Sequence, residues 1–444
     1  MTPVFARLYD YLDARLRLRS PLRALAGHLF PSHWSFLLGE VALASLGILV
    51  LTGVFLTMFY RPSLDPVVYS GASSLYEGRT LPAAFESIVR LSNDVPGGLL
   101  VRRIHRGASH LFLLTILIHL LRVVLTGAFR RPREVNYHLG GLLLLAAVTS
   151  GYTGHNLPMD VLAGTSLRIL YSFLLSVPLV GERVALWVFA GEFPTGDFLS
   201  RMFVVHVLVL PALLIAGALL HSLLVGRQTH ASAPHPEVDV HTTEVGAPLW
   251  PDQVGKTTTL VLAITCLVVA SAVLVPWSDV QLHGPYVVAE ASNASQPDWF
   301  LFWIEGALRL YPPILLTLGP VTISGPFVTG IAMPALLVLL LFGYPFLERR
   351  IAPSAAGGPR AREGHHHLLQ HPVDVPLRAG IVAAVGTFFA VLTVAGANDV
   401  VARVVSVSTE DTIRVLRVAL VAGPPLVGWA VARYAAAQPP RWQA

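Results

Sequence analysis

Two long apolar stretches of the chain each carry a pair of histidines. His105 and His119 stand 14 positions apart, and His206 and His221 stand 15 apart. At about 100° per residue, 14 steps of a helix return within about 40° of the starting direction and 15 steps within about 60°. Each stretch, read as a helix, therefore offers two imidazoles to one side, about 21–22 Å apart along its axis. Two such helices face to face make two bis-histidine sites, one toward each surface of a bilayer. That is a ligand set for two stacked b-type haems, and the chemistry it implies is electron transfer across a membrane. His110 lies five residues from His105, about 140° away, and cannot share that face.

The elements that must hold these histidines are membrane helices. The chain has 444 residues, 54% hydrophobic and only 13% charged, against roughly 25% charged in soluble domains. Apolar runs near the ~20 residues needed to span a bilayer occur at 36–60, 109–129, 138–158, 202–225, 257–276, 325–347, 377–396 and 414–435. The expected fold is an all-α integral membrane protein of eight transmembrane helices, with a four-helix haem-binding bundle in the N-terminal half. The stretch 161–192 is apolar too, but Arg168, Pro178, Glu182 and Arg183 interrupt it, which predicts short interfacial helices. Residues 1–35, with Arg7, Arg15, Arg17, Arg19 and Arg23, read as a basic amphipathic interfacial segment and not as a signal peptide. The single cysteine, Cys266, leaves no basis for an intramolecular disulfide, a CxxCH haem attachment or an iron–sulfur cluster.

Arginine placement sets the orientation. With both termini cytoplasmic, the inner loops hold Arg130, Arg131, Arg133, Arg227, Lys256, Arg349, Arg350, Arg360, Arg362, Arg433 and Arg441. The outer loops are richer in Asp and Glu. The net charge of +5 is accounted for by these loops, and no nucleic-acid partner is expected. His105 and His206 then lie toward the outer face, His119 and His221 toward the inner. The chain divides into the segment 1–35, a haem-binding half at 36–226, a cytoplasmic linker at 227–255 and a second half at 256–444. A further linker, 351–375, is rich in Pro, Gly and His. Its run His365, His366 and His367 reads as solvated.

Glycines repeat the histidine period. Gly39 and Gly53 are 14 apart on the first span, as are Gly140 and Gly154 on the third, and glycine lets a flat ring approach a backbone closely. Arg102 and Arg122 each lie three residues from a histidine, placed to pair with haem propionates.

The stretch Arg102-Arg-Ile-His105-Arg-Gly-Ala-Ser109 with His119-Leu-Leu-Arg122 resembles the second helix of the cytochrome b subunit of quinol–cytochrome c oxidoreductases, the bc and b6f type. Thr126-Gly-Ala-Phe-Arg-Arg-Pro-Arg-Glu134, Phe59-Tyr-Arg-Pro62 and the 15-residue step from His206 to His221 are similar to the plastid-type branch. Pro297-Asp298-Trp299-Phe300 resembles the family's Pro-Glu-Trp-Tyr motif, and Asn398-Asp399 with the last span resembles the Gram-positive branch. The likeness covers roughly residues 30–435. It implies a bacterial plasma-membrane subunit of a respiratory quinol–cytochrome c reductase, an enzyme active as part of a complex. Quinol is oxidised at the outer face. Electrons cross through two haems to quinone at the inner face, coupled to proton translocation. His105 and His206 would ligate the iron of the outer, low-potential haem, and His119 and His221 that of the inner, high-potential one, both non-covalent haem b. The outer quinol site would use Leu157, Pro158, Met159, Ser166, Pro297, Asp298, Trp299 and Phe300. Asp298 would be the first proton acceptor, with His155 sharing the work. The inner quinone site would lie near the start of the first span and the loop ending at Asp252. The implied partners are a Rieske iron–sulfur protein, a c-type cytochrome, membrane lipid and a second copy in a homodimer; the Gram-positive likeness implies menaquinone.

The chain departs from the family pattern in places. Asp298 stands for Glu, Phe300 for Tyr, and His155-Asn-Leu-Pro-Met159 for a segment beginning with Tyr. Leu37 occupies the position of the cysteine that holds an extra covalent haem in the plastid-type branch, so that haem is expected to be absent. Two other readings fit parts of the pattern: a dihaem membrane subunit of another quinone-linked enzyme without a Rieske partner, and a transporter with histidine proton relays.

Overall fold

The computed structural model describes residues 27, 29–30, 33–228, 231, 246–277, 283–289, 297–351 and 369–439. The basic segment 1–35 therefore falls largely outside the described residues. So do most of the linker 227–255 and of the linker 351–375, with His365, His366 and His367.

The described residues are mostly helical. A short strand β1 (Leu29–Phe30) precedes α1 (Leu37–Thr57). Strands β2 (Pro66–Val68) and β3 (Thr80–Pro82) form a hairpin before α2 (Ala83–Asn93) and α3 (Gly98–Leu125). Next come α4 (Glu134–Asn156), α5 (Val161–Leu175), α6 (Gly181–Phe189) and α7 (Gly196–Gln228). Strand β4 (Ala247–Pro248) pairs antiparallel with β1 and leads into α8 (Val254–Leu274). The second half continues with α9 (Phe302–Leu310), the hairpin β5 (Leu316–Leu318) and β6 (Val321–Ile323), and α10 (Gly325–Ile351). It ends with α11 (Pro376–Gly396), α12 (Asn398–Val405) and α13 (Thr409–Ala436).

Among the described residues seven helices are long and apolar enough to cross a membrane: those containing α1, α3, α7, α8, α10, α11 and α13. The eighth expected span, α4, is 23 residues long. It is more polar because Asn136, Tyr137, His138, Thr149, Ser150, Tyr152, Thr153 and His155 interrupt it. Many large apolar side chains on the spans, such as Leu51, Leu208, Leu219 and Leu339, are exposed. This is the surface a helix presents when its solvent is hydrocarbon, with every backbone bond closed inside the helix. Helix α3 begins at Gly98, eleven residues before the apolar run starts, because its first turns carry the charged stretch Arg102 to Arg106.

Helices α1, α3, α4 and α7 form the N-terminal bundle, with α1 along α3 and α4 along α7. Leu46, Phe112, Leu113, Ala147 and Leu214 make its core. The two halves are joined at α4 and α10. Pro345 inside α10 cannot donate to the Leu341 carbonyl four residues back. The Tyr137 hydroxyl of α4 donates to that carbonyl at 2.9 Å, and His138 Nε2 reaches the neighbouring Phe342 carbonyl at 3.0 Å. The region 161–192 forms two short helices, α5 and α6, as expected. Residues 59–95, between α1 and α3, build a small core of their own around Tyr69, Tyr76, Phe85 and Val89.

In the second half, α11 and α13 touch backbone to backbone. A Cβ on Gly380 would lie 2.6 Å from the Gly428 carbonyl oxygen and 2.9 Å from Ala432 Cβ. Gly380→Val should therefore force the two helices apart and cost about 1–3 kcal/mol by overpacking. A thermal melt in detergent checks this, and an unchanged midpoint would show that the crossing tolerates side chains.

Candidate haem and quinol sites

Helices α3 and α7 bring the four histidines together in two pairs. His105 and His206 have ring centroids 6.5 Å apart with planes at 72°, and His119 and His221 are 6.4 Å apart at 75°. A metal–nitrogen bond of about 2.0 Å and about 1.2 Å from ring nitrogen to ring centre place two imidazoles on opposite sides of one metal with centroids about 6.4 Å apart. Both pairs match that spacing.

The unequal sequence steps are reconciled by a π turn at Val205–Val209, which contains His206. A π turn takes up one residue more than an α turn, so the 15-residue step from His206 to His221 acts as a 14-residue one. With that residue allowed for, the bundle is an internal repeat. Gly39, Gly53 and His105 recur at Gly140, Gly154 and His206, each 101 positions on (140 − 39, 154 − 53, 206 − 105). His119 recurs at His221, one position later.

Three of the four glycines sit behind the paired histidine rings. A Cβ on Gly53 would lie 3.4 Å from His105 Cε1, one on Gly140 3.5 Å from His221 Cε1, and one on Gly154 2.5 Å from His206 Cε1. Gly39 faces open space on a cavity of about 750 Å³ that is also lined by His119, Arg122, Arg133, Gly140 and His221. That volume suits a large ligand. Arg122 lines it with its guanidinium over the Phe36 ring, and its Nε and Nη2 are buried without hydrogen-bond partners. Uncompensated donors there suit a group that brings carboxylates. Arg102 lies half-buried one turn before His105. Ring spacing, backing glycines and unpaired arginine donors all fit haem. Leu37 lines the same cavity, and Cys266 lies exposed on α8.

Two threonines escaped the reading of the sequence. His105 Nδ1 is 2.8 Å from Thr52 Oγ1, and His206 Nδ1 is 3.1 Å from Thr153 Oγ1. Each hydroxyl donates to a backbone carbonyl of its own helix, to Ile48 and to Thr149, so it is left to accept from the imidazole. That fixes the proton on Nδ1 and leaves Nε2 free for a metal. The signal was present: each threonine immediately precedes a ligand-backing glycine, 53 residues before its histidine.

The second constellation gathers at Asp298. The residue occupies the N-cap position before the turn Trp299–Leu301, yet its side chain makes no cap bond. Instead it forms an ion pair with Arg106, and its Oδ2 lies 3.3 Å from His155 Nδ1. Trp299 Nε1 donates to His110 Nδ1 at 3.0 Å, which gives a partner to the histidine excluded from the ligand face. Phe300 goes elsewhere. Its ring is buried in the bundle core against Gly151 and Leu113, so it packs the two halves together. Leu157 and Ser166 contribute backbone carbonyls, accepting from Tyr60 at 2.6 Å and Tyr152 at 3.2 Å. These bonds anchor the segment around Pro158 and buried Met159. Asp252 lies in the turn Leu249–Gln253, whose Gln253 lines the 750 Å³ cavity and donates to Glu40.

A family model described as cytochrome b (N-terminal)/b6/petB matches residues 110–285. The cytochrome bc1 complex cytochrome b subunit of Mycobacterium tuberculosis is 38% identical over 425 residues, 96% of this chain and 76% of that protein. The chain belongs to the cytochrome b family of bc1 complexes. The subunits of Corynebacterium diphtheriae and Streptomyces coelicolor are each 36% identical, over 426 and 427 residues, covering 77% and 76% of those proteins. A solved chain of a hyperthermophilic respiratory Complex III has the same fold, with a TM-score of 0.69 at 20% identity over 96% of this chain and 99% of that one. As a member of this family the protein is a membrane cytochrome b, an electron-transport subunit of an oxidoreductase complex.

Thr153→Val keeps the shape but removes the acceptor for His206 Nδ1. Loss of such an outer-shell partner typically weakens metal affinity about 10- to 100-fold. The variant should bind haem more weakly at the His105–His206 pair and normally at the other, as read by haem titration and by the two b-type bands at low temperature. Equal affinity at both pairs would show that Thr153 has no part in orienting the ring.

Proposed function

We propose that the chain is the dihaem cytochrome b subunit of a bacterial respiratory quinol–cytochrome c reductase. It oxidises quinol at the outer face and delivers electrons to quinone at the inner face, with proton translocation. The observation that carries this reading is the two imidazole pairs on one pair of helices, each at the spacing of two ligands on one metal. His105 and His206 would hold the outer haem, and His119 and His221 the inner one. Bound there, haem supplies one-electron transfer between the two faces. The protein's share is placement and exclusion of water. Gly53, Gly140 and Gly154 leave room beside the rings, and Arg122 is set to meet a carboxylate.

At the outer site Asp298 takes a proton from a quinol hydroxyl. Arg106 holds the carboxylate in place, and His155 stands beside it as the next acceptor. Trp299 and the segment from Leu157 to Met159 border the site. The inner quinone site lies near the 750 Å³ cavity, between the start of α1 and the turn ending at Gln253. The partners are a Rieske iron–sulfur protein, a c-type cytochrome and a second copy of the chain. Menaquinone is the substrate, and both termini face the cytoplasm.

A reduced-minus-oxidised spectrum with acid–acetone extraction should give two non-covalent b haems per chain. His119→Ala should remove one and leave the other in place. One haem or none in the intact protein would overturn the assignment. At the quinol site Asp298→Asn keeps size and polarity but cannot act as a base. Loss of general base catalysis typically costs ~10²–10⁴-fold. Quinol oxidation should fall on that scale while both haem bands persist. Wild-type turnover across a pH series would mean the proton leaves by another group.

A further inference from the structure

His155 engages one ring nitrogen and leaves the other idle. Its Nδ1 lies 3.3 Å from Asp298 Oδ2 and 3.3 Å from Arg106 Nη2. A guanidinium carries only donors, so Nδ1 accepts, and the neutral ring holds its proton on Nε2. That Nε2 is buried without a hydrogen-bond partner. Asp298 Oδ2, which faces Nδ1, also lacks a hydrogen-bond donor. Two acceptors face each other here, with room for one proton between them, and an unanswered donor sits on the far side of the ring.

The segment 283–289 docks on the backbone that follows His155. Val161 N donates to the Gly284 carbonyl at 3.2 Å, Tyr286 N donates to the Met159 carbonyl at 2.9 Å, and Asp160 bridges Pro285. These anchor points lie four to six residues beyond His155. The anchoring places His283, next to Gly284, on backbone bonded to the residues that follow His155. Asp160 is committed to the start of α5, where it accepts from Ala163 N at 2.8 Å. His283 is exposed. A buried imidazole at the site and an exposed one at the surface are thus held on neighbouring backbone.

We infer that His155 and His283 form a two-imidazole proton exit from the quinol site. The proton that Asp298 accepts passes to His155 Nδ1, and the proton on His155 Nε2 leaves through water and His283 to the outer aqueous side. One proton enters the ring and one leaves it, and no electron moves in this step. The charged and titratable groups around His155 are Arg106 and His110 from α3, Asp298 before α9, Asp160 at α5 and His283 after α8. The inference rests on the reading of Asp298 as the first proton acceptor.

The test uses the intact complex in native membranes, with a short-chain quinol as donor and the variants His283→Gln and His283→Ala. Both should keep both haem bands and reduce the inner haem through the inner site at the wild-type rate. Outer-site quinol oxidation should fall about tenfold, less than the ~10²–10⁴-fold loss of a general base itself. Added imidazole should restore most of the rate in His283→Ala and leave the wild type unchanged. Wild-type rates in both variants overturn the exit and leave Asp298 untouched. A loss that imidazole does not rescue also overturns it, marking His283 as a packing residue. Wild-type turnover in Asp298→Asn overturns the underlying reading instead.

Discussion

Two pairs of imidazoles face each other across a helical bundle at the spacing of one metal, and behind three of the four rings the neighbouring helices give up their side chains. Helices α1 and α4 do so at Gly53, Gly140 and Gly154. The rest of the N-terminal half follows from this. A ring that passes so close to a neighbouring backbone is fixed in position, and the adjacent residue can then fix its tautomer, as Thr52 and Thr153 do. The glycine, the threonine and the histidine recur as a unit at an offset of 101 residues. The bundle is therefore two copies of one helix pair, and the π turn at Val205–Val209 takes up the single residue by which the copies differ. π turns inside α-helices are frequent at functional sites, and here the turn contains His206, a proposed haem ligand.

The membrane imposes a second constraint, that backbone polar groups inside it be satisfied within the protein. Polar side chains in the spans are used to join elements. Tyr137 and His138 reach carbonyls beside Pro345 of α10. Glu40 of α1 accepts from Gln253 and Thr257 at the start of α8. Arg378, fully buried at the start of α11, pairs with Glu348 at the end of α10 at 2.6 Å. Removing one partner of a buried pair is far more costly than the pair is stabilising, so such contacts specify which helices meet.

Much of this was legible in the sequence because it is periodic. Helical spacing placed the four histidines and four glycines, and hydropathy found the spans. Three kinds of feature were not legible. A π turn leaves only a one-residue anomaly, visible as 15 in place of 14 but open to other readings. Helix starts are hidden where charge is needed: α3 begins among arginines, so an apolar window misses its first eleven residues. Long-range polar partners leave no local trace. Arg106 finds Asp298 across 192 positions, and nothing in its own neighbourhood marks it as more than another arginine beside a ligand. Phe300 has a packing role that its motif did not announce. Its motif suggested a site residue, while its apolar ring, lacking a hydroxyl to satisfy, is free to sink into the bundle core.

The two ends of the bundle solve different problems with the same repeat. Beside the His105–His206 pair the protein supplies its own polar groups: the threonine hydroxyls on the rings, and the Arg106–Asp298–His155 cluster one residue beyond His105. Beside the His119–His221 pair it leaves a 750 Å³ cavity and an arginine with unused donors. An acid–base group needs fixed neighbours, since proton transfer requires hydrogen-bond reach of its partners. A large ligand carrying its own carboxylates, proposed at both pairs, needs space and donors as well. The cluster around Asp298 draws on both halves of the chain, from α3, α4 and the segment before α9. It can therefore form only when the second half is docked, with Phe300 seated in the bundle two residues from the carboxylate it helps to place.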